Sequence, residues 1–380
     1  MLQADKLKNA IRALTTGRMR VMSDAIPFEF DRVPARKVLN GFLVEAAVVF
    51  KPDRPWGGPT HIMCEPSSMC NLNCTLCPVT TGLKRPAGFM TPDLFQKTID
   101  QVADTVFIGL LWDWGEPFLN PAIFDMIAYA RSKGLRLVSS TNGHPFVNPA
   151  MAERLVKSGL DSIIFAIDGA TQETYQLYRQ GGSLGHALEG IRNVVREKRI
   201  RGADRPLINF RFIVMRQNEH EIPQVENLAG SLGVDVLSFK TVNTGCRNPY
   251  SKDESRRQMD FLPADPRFRR FTLGADGLPE RRRRNPCREL WTGPSVHSSG
   301  KISPCTFDPN EDYVMGDLRR QSFREIWTGE KYQDLRRRFR RSWESIPVCS
   351  ACTHAYVGGS CSTETIAQAR FFNQPNRKVT

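Results

Sequence analysis

The sequence lacks any apolar run long enough to cross a bilayer, since no window approaches the roughly 18 uncharged apolar residues that a spanning helix needs. Its first residues, "MLQADKLKNAIRALTTGR", are charged throughout and have no secretory-signal core. A cytoplasmic protein is expected. In that reducing compartment its ten cysteines read as metal or redox sites rather than a disulfide framework. There is no phosphate loop and no G-x-G-x-x-G after a strand, so nucleotide hydrolysis and dinucleotide binding have no support. The histidines, His61, His144, His186, His220, His297 and His354, show no metal-ligand spacing; only His144, after "TNG", is placed near a site. No fixed-period repeat, low-complexity tract or cobalamin-binding segment is apparent.

Cations, by contrast, are in excess. Lys and Arg outnumber Asp and Glu by 53 to 40, a net +13, with runs at 280–286 ("ERRRRNP") and 335–341 ("LRRRFRR"). Neither run belongs to a nucleic-acid module, so both read as solvated faces and no nucleic-acid partner is expected. Near the N-terminus Leu7, Ile11 and Leu14 share a helical face among Lys6, Lys8, Arg12 and Arg18. Residues 1–57 are therefore read as a basic amphipathic extension that either touches a membrane surface peripherally or packs on the body of the protein.

From residue 60 onward, β-rich runs (60–65, 105–114, 135–141, 161–168, 207–215 and 235–240) alternate with helical patterns. Thr91-Pro92, Asn120-Pro121 and Asn148-Pro149 each offer an N-cap followed by proline, and Gly134 and Gly159 mark helix ends. Six βα units predict an α/β fold, a partial (β/α)6 TIM-like barrel over 58–245, with a doubly wound sheet as the alternative; in either, ligands bind at the carboxyl ends of the strands. A linker follows at 246–286, then a small cysteine-rich domain at 287–365 and a tail at 366–380.

The loop after the first strand, "CEPSSMCNLNCTLCPVTTG", carries Cys70, Cys74 and Cys77 at the spacing C-x3-C-x2-C. Three thiolates can hold three irons of a [4Fe–4S] cube and leave the fourth iron open to a ligand. Structural zinc, the alternative, calls for four closed ligands. This loop resembles the signature of the radical S-adenosylmethionine (radical SAM) enzymes, and the resemblance extends over 58–245. "GEP" at Gly115, Glu116 and Pro117 looks like the motif that engages the methionine amino group of SAM. "TNG" with Asn142, and "DG" with Asp168, follow the third and fourth strands, where the family contacts the ribose and carboxylate; Arg179 resembles the arginine that pairs with that carboxylate. Trp114 stands where a second glycine is common, and Ala166 where relatives carry serine.

Further on, Cys287, Cys305 and the pair Cys349 and Cys352, with "HSSGKISPC" and "VCSAC", resemble the SPASM domain, an auxiliary iron–sulfur module. The resemblance implies one auxiliary [4Fe–4S] cluster in these four cysteines. Zinc in the same thiolates is the alternative, and Cys361 an alternative ligand. Cys64 reads as a buried core residue. Cys246, past the sixth strand, is either a catalytic hydrogen donor, as in radical SAM epimerases, or a loop cysteine without a role.

The family likeness implies SAM as cofactor, a low-potential electron donor such as flavodoxin or ferredoxin, and an adenosyl radical that abstracts hydrogen from an unactivated C–H. Oxidation of a small molecule or sugar-like intermediate is the expected reaction. Epimerisation through Cys246, ribosomal-peptide maturation and modification of a lipid remain as alternatives, and an iron–sulfur electron carrier is the non-enzyme reading.

Overall fold

The computed structural model describes residues 11–243, 259–360 and 366–372. Its elements in chain order are β1 (Met19–Ser23), β2 (Ile26–Phe30), α1 (Ala35–Phe50), β3 (His61–Cys64), α2 (Pro92–Val102), β4 (Ile108–Leu111), α3 (Ile123–Ser132), β5 (Arg136–Thr141), α4 (Pro149–Lys157), β6 (Ser162–Ala166), α5 (Gln172–Tyr178), α6 (Leu184–Arg201), β7 (Leu207–Val214), α7 (Ile222–Leu232), β8 (Val236–Thr241), β9 (Ser295–Val296), β10 (Lys301–Ser303), β11 (Gly316–Asp317), α8 (Phe323–Trp327), α9 (Glu330–Ser342) and β12 (Ile366–Phe371). β3 to β8 are consecutive parallel neighbours, joined by helices as the alternating pattern requires. This is the α/β partial barrel expected.

Two of the three proposed caps form as read. The Thr91 side chain accepts from Leu94 N–H and that of Asn148 from Ala150 N–H, each followed by proline at the first helical position. Asn120 does not cap a helix, because α3 begins only at Ile123. Its Oδ1 still accepts from Ala122 N–H (2.9 Å) in the turn before α3, and its amide donates to the carbonyls of Pro66 (2.8 Å) and Met90 (3.0 Å), tying the base of the cysteine loop to the segment before α2. Gly134 and Gly159 follow the ends of α3 and α4 at φ +83° and +80°.

The strands bury both faces. Ile62, Leu111, Leu137, Ile163, Phe210 and Phe239 pack in the larger cluster with the helices, whereas Met63, Ile108, Leu110, Val138 and Ile164 form a second cluster with Ile26, Phe28 and Phe30 of the β1–β2 hairpin. Part of the segment read as an amphipathic extension is thus a plug in the sheet's other face. Burying three such side chains contributes roughly 1.5 to 3 kcal/mol each. Asp24 and Ala25 turn the hairpin with φ +57° and +60°, as a two-residue turn of the I′ type requires, and Asp24 is anchored by Arg211 of β7. Ile11 and Leu14 are exposed; Leu7 lies outside the described residues.

The C-terminal region continues the sheet. β9 pairs in parallel with β3 (Met63↔Ser295, Cys64↔Val296), and β10 and β11 extend that edge. At the other edge β12 runs antiparallel to β8. Between them, Arg270 is buried and donates to the Thr241 carbonyl at 2.8 Å, so the stretch after residue 259 is seated on the end of β8. No described helix is long and apolar enough to cross a membrane.

Candidate active site

The cysteine loop follows β3 and is held from outside itself. Asn73 N–H donates to the Gln180 carbonyl (2.9 Å), Thr75 N–H to that of Tyr178 (3.0 Å), and Glu116 N–H to that of Met69 (2.8 Å). Gly115, at φ +118°, lies so close to the loop that a Cβ there would meet the Ser67 carbonyl oxygen at 2.3 Å. Only glycine fits, which explains the first residue of "GEP" by packing alone.

Glu116 is 2% exposed. Its carboxylate accepts from Asn142 N–H (2.8 Å) and Phe118 N–H (3.2 Å), yet burial pushes its pKa up to about 7. Burial likewise pushes the Cys70 thiol up to about 12, with Glu116, Cys74 and Cys77 adding to the rise, which puts those groups beside one another. Asn142 is the hub: its amide donates to Asn71 Oδ1 at 2.7 Å and lies 4.0 Å from Cys70 Sγ, while its own Oδ1 accepts from His144 N–H at 3.0 Å. His144 Nε2 accepts from Ser183 N–H (2.9 Å), leaving Nδ1 to carry the proton, 3.1 Å from Asn142 Oδ1. Arg179 Nε donates to Asp168 Oδ2 at 2.6 Å, and Nη1 lies 3.7 Å from Cys74 Sγ. Asp168 also accepts from Ile213 N–H at 2.8 Å. The two residues expected to meet a ligand's carboxylate therefore pair with each other.

The other cysteines gather from separate segments. Burial holds Cys305 well above its ordinary pKa, and Cys352, Cys287 and Cys349 add to the rise. Around them lie buried polar atoms without hydrogen-bond partners: the Tyr332 hydroxyl, both ring nitrogens of His354, and Asn285 Nδ2. Unsatisfied buried groups are rare in folded proteins, and the sulfides of an iron–sulfur cluster are the acceptors such a shell of donors suits. Among the described residues no three His, Cys, Asp or Glu side chains are arranged to hold a single metal ion. Cys64 is fully buried, as expected of a core residue. Cys246 and Cys361 lie outside the described residues.

Between the two sets stands a buried network. Glu65, on the chain just after β3, takes Arg85 Nη1 (2.8 Å) together with the N–H and hydroxyl of Ser298 (3.0 Å each). Asp113, at the end of β4, accepts from the hydroxyl of Thr306, the residue after Cys305, and its Oδ2 is buried without a hydrogen bond. Burial, reinforced by Glu65, pushes the Asp113 pKa up to about 8. Glu65, Arg85 and Asp113 carry no local sequence signal. Only the strand register reveals them.

Residues 64–229 match the family model of the radical SAM superfamily, and 287–353 match that of the SPASM iron-sulfur cluster-binding domain. The chain belongs to the radical SAM superfamily and carries a SPASM domain. Membership brings SAM and a [4Fe–4S] cluster to the first region, auxiliary iron–sulfur to the second, and the need for a reductant. The chain is 29% identical over 338 residues to an AdoMet-dependent heme synthase of Methanosarcina barkeri, covering 81% of this chain and 93% of that protein. It is 25% identical over 280 residues to a PqqA peptide cyclase of Gluconobacter oxydans, covering 71% and 76%. In fold it is similar to the crystal structure of Streptococcus suis SuiB, with a TM-score of 0.58 at 13% identity, covering 92% of this chain and 82% of that one.

Proposed function

We propose that this radical SAM/SPASM enzyme oxidises an unactivated C–H centre of a small molecule. Cys70, Cys74 and Cys77 hold the SAM-binding cube, and Cys287, Cys305, Cys349 and Cys352 hold a single auxiliary cube. When bound and reduced, the first cube with SAM supplies an adenosyl radical that takes a hydrogen atom from the substrate. Glu116 receives the methionine ammonium, Asn142 fixes Glu116 from the neighbouring strand end, Gly115 and Pro117 shape the turn that carries it, and Arg179 with Asp168 fixes the Cys74 side.

The observation that carries oxidation is the seating of Cys305 against the barrel. It lines a small cavity of about 20 Å³ with His61 and Met63 of β3, Leu110 of β4 and Thr306. An electron acceptor at Cys305 thus adjoins the strands whose ends hold the SAM site. Loss of a hydrogen atom, then an electron and a proton, leaves the product two hydrogens lighter. The test is turnover with candidate substrates. A product about two mass units lighter supports oxidation; a product of unchanged mass that takes up solvent deuterium, abolished by Cys246→Ala, supports the epimerase instead.

A second substrate class is a tetrapyrrole, favoured by the likeness to a heme synthase over four-fifths of the chain. Titration of the protein with iron coproporphyrin would decide it, since binding perturbs the porphyrin absorption band. A low-potential ferredoxin or flavodoxin is the proposed reductant and the cytoplasm the proposed location. Peripheral contact with an anionic membrane has one structural support: α1 presents Leu39, Phe42, Leu43, Val49 and Phe50 to solvent near exposed Trp56, in a segment that also exposes Arg12, Arg32 and Arg36. Co-flotation with anionic but not neutral vesicles is the outcome expected.

A further inference from the structure

The two arginine runs meet over one end of the auxiliary site. In the second run Arg336 is buried and Arg337 and Arg340 pair with Asp53. Exposed Arg338 touches only Asp334, at 3.9 Å, and exposed Arg341 forms no ion pair among the described residues. In the first run Arg282 donates to the carbonyls of Tyr356 (2.7 Å) and Gly359 (3.3 Å). Exposed Arg281, Arg283 and Arg284 form no ion pair among the described residues either. Arg281 joins the two runs. Its Nη2 donates to the carbonyl (3.2 Å) and the hydroxyl (3.0 Å) of Ser350, which stands between Cys349 and Cys352, and its Nη1 to the Tyr356 hydroxyl (3.3 Å). Its guanidinium lies 5.7 Å from the centre of the Trp343 ring, and Trp343 directly follows the end of α9, beside Arg341 in the chain.

Cys349 is half-buried at this place, whereas Cys287 and Cys352 are buried and Cys305 lines the cavity against β3 and β4. The half-buried corner of the auxiliary site thus lies beneath a cationic face. Like charges gathered on a surface repel one another and add nothing to stability by themselves. Glu280 and Glu344 border the face but leave the arginines in excess. Arg281 is nonetheless fixed between Ser350 and two aromatic rings, so little of its freedom is left for a partner to freeze. A single-stranded nucleic acid also meets cations, but it needs aromatic platforms on which its bases stack. Here Trp343 and Phe339 are 7% and 3% exposed, and the Tyr356 ring lies under Arg281. An acidic protein surface needs only the cations.

We propose that this face docks an acidic one-electron carrier, a flavodoxin-type protein, which removes the electron that substrate oxidation leaves on the auxiliary cluster. In that step the cluster loses one electron and the carrier's flavin gains it; no bond forms or breaks, and the substrate's proton has already left. Complementary charge brings the carrier to the Cys349 corner, the part of the site that reaches the surface. The direction of transfer rests on the oxidation proposed above and on an auxiliary cube at Cys287, Cys305, Cys349 and Cys352; the docking face rests on the arginines alone.

The experiment uses the full-length, anaerobically reconstituted protein and an acidic flavodoxin as probe. The double variant Arg283→Glu/Arg341→Glu reverses two exposed cations that form no ion pair. The control, Lys97→Glu/Arg320→Glu, makes the same change in net charge in the groove between α2 and the segment before α8. Binding of labelled flavodoxin at low ionic strength should weaken about tenfold or more in the arginine variant. The salt dependence of binding should flatten with it, while the control stays near wild type. Rapid mixing of oxidised flavodoxin with the reduced auxiliary cluster, in protein whose Cys70, Cys74 and Cys77 are replaced by alanine, should show the same loss in the rate of flavin reduction. Arginine-dependent binding without electron transfer keeps the docking face and fails the oxidation reading. Equal weakening in both variants, or none in either, overturns the proposal. So does arginine-dependent binding of a single-stranded oligonucleotide by a protein that does not bind flavodoxin.

Discussion

Cys70, Cys74 and Cys77 come from a single loop, and the polar side chains that reach them are satisfied by protein, Asn142 by Asn71 and Arg179 by Asp168, with the buried Tyr175 hydroxyl the one unmatched group beside them among the described residues. Cys287, Cys305 and the pair Cys349 and Cys352 come from three separate segments, and Tyr332, His354 and Asn285 around them keep unmatched atoms. The first site is largely organised before any cofactor arrives, whereas more of the second is left for its cofactor to complete. Binding free energy in such a site becomes folding free energy. The two centres should therefore respond oppositely to loss of their cysteines. Replacing Cys70, Cys74 and Cys77 by alanine should abolish SAM cleavage and lower iron from about eight to about four per chain, with little change in melting temperature. Replacing Cys349 and Cys352 should remove the same amount of iron but lower the melting temperature and loosen the region from 287 to 352, seen as faster hydrogen exchange there. Equal thermal effects in the two variants would remove the distinction.

A second way to break the comparison is through the ion pair that supports the loop site. Asp168 has a fully buried side chain, and Arg179 is largely buried beside it. Removing one partner of such a pair leaves an uncompensated charge and costs about 3 to 5 kcal/mol. Arg179→Ala should accordingly lose stability in chemical denaturation before any cofactor is added, with Arg179→Lys losing less. A wild-type denaturation midpoint in Arg179→Ala would mean that this pair does not organise the loop.

The same contrast governs what the sequence made legible. The three-cysteine loop, "GEP" and "TNG" are short and local, so their spacing carried them, and the six strands followed from alternation because each is buried on both faces. Non-local features were invisible. Nothing near Asp113 or Thr306 announces that they meet, since the contact exists only because β9 lies beside β3. The hairpin plug was read as part of an amphipathic extension because Ile26, Phe28 and Phe30 alternate over too few residues to stand out. Asn120 makes the expected bond to Ala122 N–H, but the helix starts only at Ile123, and the other end of its amide is taken by tertiary partners at Pro66 and Met90 that the sequence did not show.

A smaller effect is expected at Glu116, where the proposed contact is with SAM and not with the protein's own core. Glu116→Gln keeps the side chain's shape but removes the charge that an ammonium would meet. A charge-assisted hydrogen bond lost at a desolvated site is worth about 1.5 to 3 kcal/mol, or roughly 10- to 100-fold in SAM affinity. Equilibrium binding to the reconstituted, oxidised protein would measure it, and wild-type affinity in the variant would refute the assignment.

The finest test uses pH. Because burial raises the Glu116 pKa to about 7, the SAM-free protein holds this carboxyl neutral in mildly acidic solution. The folded state therefore binds a proton that the unfolded chain has already released between about 4.5 and 7, and stability falls as pH rises through that window, by on the order of 3 kcal/mol from this group alone. Above pH 7 the carboxylate stands charged and poorly solvated, which is the state an incoming ammonium relieves. SAM binding should then weaken about tenfold for each pH unit below 7, since one proton must leave for each ligand bound. In Glu116→Gln both slopes should flatten together. If the variant keeps the wild-type pH dependence of binding, the proton belongs to another group, and Glu116 serves only to brace Asn142 and Phe118.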